Sequence, residues 1–255
     1  MVELIITEKP AQAEKIASAL ADTKPKKRTK NSVTHYELTH KGKSILVGCA
    51  VGHLFGLAKK DNKKAKYPNF DIEWKPKYEI DKGAEYTRKY VERLKELSKK
   101  AKNVIVATDY DVEGSVIGYN IVRYLCNKKD GKRMKFSTLT KEELIQAYDT
   151  ATKHLDFPQI HAGETRHHLD WFYGINISNA LMTSIKNATG RFRIMSTGRV
   201  QGPTLKLIVK KEELIKKFKP KKYWELFLEG TLKKTKFLAK HKKGSFSNEK
   251  EVLKI

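Results

Sequence analysis

The densest chemistry in the 255 residues is Asp109-Tyr110-Asp111-Val112-Glu113-Gly114. It stands where an apolar, β-branched run, Asn103 to Thr108, gives way to a helical pattern. A period of two places Asp109 and Asp111 on the same side of the chain. Glu113 follows at the turn, and Gly114 lets the backbone come close. Glu8 ends another buried run, Val2 to Thr7, and ligands of parallel sheets sit at the carboxyl ends of the strands. Four carboxylates, Glu8, Asp109, Asp111 and Glu113, can converge there. Carboxylates that close repel and raise one another's pKa values, and a hard divalent cation relieves this. Mg²⁺ held by carboxylates, waters and phosphate oxygens is the expected ion. D-x-D alone suits a helix cap equally well. Its place after a buried strand, with a second acid ending the first strand, favours metal. Lys9, beside Glu8, could hold a phosphate or protonate a leaving oxygen, although exposed lysines abound in this chain.

Other motifs say less. Gly42-Lys43-Ser44 has the end of a P-loop, but Glu37 stands where its first Gly belongs and a strand follows, so triphosphate binding is rejected. The eight histidines show no H-x₃-H or H-E-x-x-H spacing. His167-His168 reads as a helix surface, and zinc is not expected. His53 after Gly52 reads as a lone structural or exposed histidine. Arg166, Asp170 and Tyr173 share one helix face, which an ordinary i,i+4 ion pair also explains. Ser196-Thr-Gly-Arg199-Val-Gln201-Gly-Pro203 precedes a helix whose apolar face is Leu205, Ile208, Val209 and Ile215. Free N–H groups at such a start favour an anion, and Arg199 and Gln201 could meet a phosphate and a base edge. A cap with an incidental Arg fits equally.

These residues need elements to hold them. Pro10 suits the first turn of a helix with Ala13, Ile16, Ala17 and Leu20 on one face. Residues 24–31 read as a lysine-rich solvated loop, and 59–83 as irregular. Val33–Leu38 and Lys43–Cys49 read as paired strands around Lys41-Gly42. Glu85–Lys100 reads as a helix, followed by the strand 103–108, a helix Gly114–Cys126, a third strand Met134–Thr138 and a helix Lys141–Thr152. Strand and helix thus alternate over the first 150 residues, which predicts an α/β fold with a parallel sheet and crossover helices. Gln159–Lys186 and Pro203–Phe218 then read as helices. Past Pro220, Tyr223–Leu232 and Lys236–Lys240 read as a hairpin. Lys plus Arg number 53 against 29 Asp plus Glu, a net charge of +24, which calls for a polyanionic partner, nucleic acid ahead of an anionic membrane surface. The longest apolar run, Ile45 to Val51, is far short of the roughly 20 residues of a spanning helix. Two cysteines give neither a disulfide framework nor a zinc quartet, as in a reducing interior.

Thr7-Glu8-Lys9-Pro10-Ala11 resembles the opening of the Toprim domain of the type IA DNA topoisomerases. Ala107-Thr-Asp109-Tyr-Asp111-Val-Glu113-Gly114 resembles its acidic motif. Leu169-Asp170-Trp171-Phe-Tyr-Gly174-Ile-Asn176 and Ser196 to Leu205 resemble two stretches of that family's single-strand-binding helical domain. These last are the most specific, because other Toprim proteins lack them. The Glu-Lys-Pro opening is closer to the topoisomerase III and archaeal branch than to bacterial topoisomerase I, which has a Lys where this chain has Gln12. The resemblance implies a Toprim domain over 1–155, a mainly α single-stranded-DNA-binding segment over 156–220 and the start of a β domain over 221–255. It implies Mg²⁺-dependent, ATP-independent cleavage and religation of one DNA strand through a 5′-phosphotyrosine, with strand passage and relaxation of negative supercoils.

On that resemblance Glu8 assists proton transfer and Lys9 polarises the phosphate. Glu8, Asp109, Asp111 and Glu113 hold Mg²⁺, and His53, Arg166, Asp170, Ser196, Arg199 and Gln201 bind DNA. The implied partners are single-stranded DNA, negatively supercoiled duplex DNA and a helicase or C-terminal partner chain, with no membrane. The implied location is the cytoplasm, at the nucleoid. The family's nucleophile is a Tyr in a Y-x-R-T-(D/E) stretch after the Gly198-Arg199-Val200-Gln201 segment. Nothing after Gln201 matches, and Tyr86-Thr87-Arg88 precedes the acidic motif. The expectation is an amino-terminal portion of the enzyme that lacks the attacking group. Two competitors differ in class. Another Toprim enzyme, a primase or nuclease, leaves the Arg199–Gln201 segment unexplained, and a non-catalytic nucleic-acid-binding module makes the acidic cluster mere decoration.

Overall fold

Apolar alternation sets the first strand. In β1 (Val2–Thr7), Leu4 and Ile6 enter one core cluster and Ile5 the other, all fully buried. A strand sunk on both faces belongs inside a sheet. The computed structural model, which describes residues 2–61 and 67–255, continues with α1 (Pro10–Leu20), β2 (Lys26–Lys30), β3 (Val33–His40), β4 (Lys43–Cys49), β5 (Phe55–Lys59) and β6 (Ile72–Pro76). Next come α2 (Lys77–Ile80), α3 (Arg88–Lys100), β7 (Asn103–Ala107), α4 (Val112–Tyr124), β8 (Lys132–Arg133) and α5 (Lys141–Asp149). α6 (Phe157–Trp171), a π-helical stretch (Phe172–Ile177) and α7 (Ser178–Thr189) follow. All of these lie in one compact unit, Met1–Arg199. A second unit, Val200–Ile255, holds α8 (Gln201–Lys217), the antiparallel pair β9 (Phe227–Leu232) and β10 (Thr235–Lys240), and α9 (Glu249–Val252).

The sheet of the first unit runs β2-β3-β4-β1-β7-β8. β4, β1, β7 and β8 are parallel, and β3 and β2 add an antiparallel edge. Leu94, Leu97, Ile117 and Ile121 of α3 and α4 cover one face, and Ile16, Leu20 and Leu144 of α1 and α5 the other. The α/β sheet with crossover helices is therefore present, widened by a hairpin whose turn residues Lys41 and Gly42 both have positive φ, 48° and 76°. Thr7 pairs with Ala107, so the segments leaving β1 and β7 emerge side by side. That register brings Glu8 and Asp109 together. No described helix is long and apolar enough to cross a membrane.

Several local expectations are corrected. Residues 26–30 are not loop but an exposed edge strand on β3, tied down by Arg28–Glu37 and Lys30–Glu96 ion pairs. A strand without apolar residues shows no alternation to read, and its lysines discourage further pairing. Within 59–83, β5 pairs with β6, and α2 and a 3₁₀ turn (Lys82–Thr87) follow, so the α-helix expected from Glu85 starts at Arg88; residues 62–66 lie outside the described residues. The third strand lies before the expected span, at Lys132–Arg133, and Met134–Thr138 holds none, because the Glu143 carboxylate takes the N–H groups of Ser137 and Thr138 that a longer ladder would use. The helix expected over 159–186 is broken by the π-helical stretch, where Asn176 bonds the backbone of Asn69 twice, at 2.8 and 2.9 Å. In the second unit the hairpin begins only at Phe227, and the apolar face of α8 stays exposed.

Candidate functional site

Lys9 caps α1, and Gln12, three residues on, accepts the Lys9 N–H at 3.1 Å, a capping-box arrangement. From that anchored turn the Lys9 ammonium reaches Asp109 Oδ2 at 2.9 Å and Glu8 at 3.7 Å. Gln12 Nε2 donates to the other Asp109 oxygen. Asp111 caps α4, accepting the Gly114 N–H at 2.7 Å. A Cβ on Gly114 would lie 2.2 Å from the Asp109 carbonyl oxygen, so only glycine permits this turn. Arg133, 1% exposed, donates to the carbonyls of Thr108 and Asp109 at 2.9 and 2.7 Å and pins the motif from beneath. Burial pulls its pKa down to about 10, which leaves it charged at neutral pH. The Tyr110 ring has the Lys135 ammonium 4.7 Å from its centroid, and its hydroxyl donates to Asp156 at 3.0 Å.

Burial, then the charges of Asp109 and Asp111, push the Glu8 carboxyl above its usual range, with Lys9 in partial opposition. Burial also acts to raise Asp109, but the hydrogen bonds from Lys9 and Gln12 outweigh it and hold that group low. A cavity of about 430 Å³ opens beside Asp109 and Asp111, walled by Gln12, Tyr110, Phe136 and Ser137. Asp109 and Asp111 thus offer carboxylate oxygens beside an open space, with Glu8 near enough to feel their charge, a chemistry that suits a hard divalent cation although the oxygens of all three do not lie within 4.8 Å of one another.

Glu113 does not join them. Its Oε2 faces His53 Nε2 at 3.0 Å and His167 Nε2 at 2.9 Å, and its Oε1 faces Arg166 at 3.3 Å. Burial tends to raise Glu113, but the His167 hydrogen bond and the surrounding positive charge hold it low. Burial, then the charge of His167, depresses His53. His53 is therefore bonded to a carboxylate, and His167 is no plain helix surface. The remaining candidates divide. Arg166 is 3.8 Å from Asp170, whose carboxylate takes Arg199 in a fork at 2.7 and 3.2 Å. Thr197 N–H donates to Ser178 Oγ at 2.9 Å and moors the Arg199 segment on α7. Ser196 is exposed, and Gln201 opens α8 in the second unit. Sequence reasoning missed Gln12, Tyr110, Arg133 and His167. Only Gln12 had a local signal, its place in the first turn of α1. Arg133 and His167 are joined to the site by tertiary packing.

Residues 3–139 match the Toprim domain family, and residues 154–255 match the family described as DNA topoisomerase. DNA topoisomerase 1 of Methanocaldococcus jannaschii is 48% identical over 100% of this chain and 33% of its own length. DNA topoisomerase 1 of Pyrococcus furiosus is 47% identical over 99% of this chain and 24% of its own. Topoisomerase I of Thermotoga maritima has a similar fold, with a TM-score of 0.65 and 25% identity over 98% of this chain and 37% of that one. The chain thus spans about a third, or less, of the relatives it matches. With Toprim over more than half of its residues and topoisomerase sequence over most of the rest, the chain belongs to the Toprim-containing type IA DNA topoisomerase family.

Proposed function

We propose that this chain provides the metal-binding and strand-binding part of a type IA topoisomerase reaction, the Mg²⁺-dependent, ATP-independent opening and resealing of one DNA strand. The observation that supports it most is Glu8, Lys9, Asp109 and Asp111 gathered at the ends of adjacent parallel strands. Glu8, which holds its proton more tightly than an ordinary carboxyl, gives it to the leaving 3′-oxygen on cleavage and recovers it on resealing. The Lys9 ammonium polarises the phosphate. Mg²⁺ held by Asp109 and Asp111, with Glu8 as a third donor once it has given up its proton, would neutralise phosphate charge. Arg199, oriented by Asp170, meets the backbone of a single strand together with Arg166, while excess lysine adds a salt-sensitive, sequence-tolerant attraction. A tyrosine ester stores the phosphodiester energy, so no ATP enters. Tyr86 is not assigned that role; it lies beside Gly56, Lys77 and Ile80. We assign residues 1–155 to metal chemistry, 156–220 to strand binding and 221–255 to the start of a β region. Single-stranded and negatively supercoiled DNA, and a helicase or C-terminal partner chain, are the proposed partners, with the nucleoid as the proposed location.

Calorimetric titration of Mg²⁺ into the chain and into Asp111→Asn tests the metal assignment, since Asn still caps α4. At least tenfold weaker binding is expected, and unchanged affinity overturns the assignment. Fluorescence anisotropy at one salt concentration should show tighter binding to a single strand than to duplex. Equal affinities would reduce the interaction to diffuse charge. Incubation with labelled single strand and Mg²⁺ should leave no protein-linked label after denaturation, and a band abolished by Tyr86→Phe would overturn the reading of Tyr86.

A further inference from the structure

We propose that His53 Nε2, His167 Nε2 and Glu113 Oε2 form a binding site for a borderline divalent cation of the zinc type, separate from the magnesium proposed at Glu8, Asp109 and Asp111. Among the described residues this is the set of three whose ligand atoms all lie within 4.8 Å of one another. Two imidazoles and one carboxylate are a donor set for zinc rather than magnesium, which prefers oxygen alone. Tetrahedral zinc with bonds near 2.0–2.1 Å holds its ligand atoms about 3.3 Å apart. The two His–Glu separations here, 3.0 and 2.9 Å, need only a few tenths of an ångström of expansion.

The three ligands come from the β4–β5 connection, the first turn of α4 and the C-terminal third of α6, which explains why no sequence spacing announces them. Packing fixes their approach. A Cβ on Gly163, one turn before His167, would lie 2.3 Å from Val116 Cγ2 and 3.0 Å from the Val112 carbonyl, so α6 sits tightly on α4. The Trp74 ring abuts His167 edge-on at 5.4 Å between centroids. Arg166 holds the second Glu113 oxygen at 3.3 Å, an outer partner that leaves Oε2 free to ligate. With His53, His167 and Glu113 side chains 19%, 29% and 36% exposed, a fourth position remains open to water. On binding, each neutral ring carries its proton on Nδ1. The bound ion clamps α6 to α4.

The proposal does not rest on the magnesium or DNA assignments, and zinc alone is the probe. Metal-free chain is titrated with Zn²⁺ by calorimetry, and with Co²⁺ by visible absorption. One ion per chain is expected, with at least tenfold weaker binding in His53→Ala, His167→Ala and Glu113→Gln and no change in His168→Ala. Should His53→Ala lose the native circular-dichroism spectrum, His53→Gln, whose amide nitrogen can stand in for the ring Nε2 as a donor to Glu113, carries the same expectation. Parent binding no tighter than that of the His53→Ala/His167→Ala pair overturns the site. So does zinc binding that survives in the histidine variants and disappears in Asp109→Asn.

Discussion

Replacing Gly114 with alanine sets two effects of opposite sign against each other. Alanine in place of glycine inside a helix favours folding by about 1 kcal/mol. At Gly114, however, the new Cβ would start 2.2 Å from the Asp109 carbonyl oxygen, and that gap must widen to at least 3.0 Å. The carbonyl cannot retreat freely, because Arg133 holds it at 2.7 Å. The opening therefore strains the two bonds that close the turn, Gly114 N–H to Asp111 and Thr108 Oγ1 to the Gly114 carbonyl, each 2.7 Å. Overpacking costs about 1–3 kcal/mol. Losing the charge-assisted bond costs about 1.5–3 kcal/mol and the neutral one about 0.5–1.5 kcal/mol. After the propensity gain, Gly114→Ala should be destabilised by about 2–6.5 kcal/mol. Urea unfolding followed by circular dichroism measures this directly, with Mg²⁺ titration of the folded fraction as a second readout. A variant as stable as the parent, or more stable, would mean the close approach of Asp109 to α4 is not what the motif requires.

Three further outcomes follow. The raised Glu8 pKa means the folded chain binds that proton more tightly than the unfolded chain, so Glu8 lowers stability as pH rises through its range. Glu8→Gln should be the more stable protein at pH 7 without metal, with the difference closing as pH falls below the ordinary carboxylate range; a pH-independent difference in urea midpoints would refute this. Arg133→Met should lose about 2–5 kcal/mol in urea unfolding, because the Thr108 and Asp109 carbonyls are left buried without donors, and a loss under about 1 kcal/mol would contradict that role. Burial pushes the Cys49 and Cys126 thiols up to about 11, so iodoacetamide at pH 7 should label both slowly in the native protein and fully in denaturant, and rapid native labelling would show the thiols to be accessible.

What the sequence made legible was local and periodic. Leu4, Ile5 and Ile6 announce a strand buried on both faces, Pro10 a helix start, and Lys41-Gly42 a tight hairpin. Glu8 and Asp109 could be paired in advance because both end buried strands, and parallel register does the rest. What escaped was set by packing between distant segments. Lys26–Lys30 became a strand because β3 offered an edge, without any apolar pattern of its own. Glu113 looked like a fourth member of an acidic cluster until α6 laid His167 and Arg166 against it. The role of Arg133 is equally invisible in sequence, since a lone arginine before Met134 gives no sign that it reaches under the motif.

The π-helical stretch at Phe172–Ile177 acts on angular phase. An α-helix turns about 100° per residue, and a wider i→i+5 turn falls behind that count by about one residue before normal winding resumes. Side chains beyond the stretch therefore do not continue the stripes drawn by those before it. The Arg166–Asp170 stripe ends with α6, and α7 starts again at a different angle. Ser178, its first residue, owes its direction to that lag, and it is Ser178 that moors Thr197 two positions before Arg199. Rewinding the stretch as plain α-helix with every residue kept would swing Ser178 by about 100° and cast the arginine's segment adrift, whereas deleting one residue would repair the helical ladder and leave Ser178 where it is.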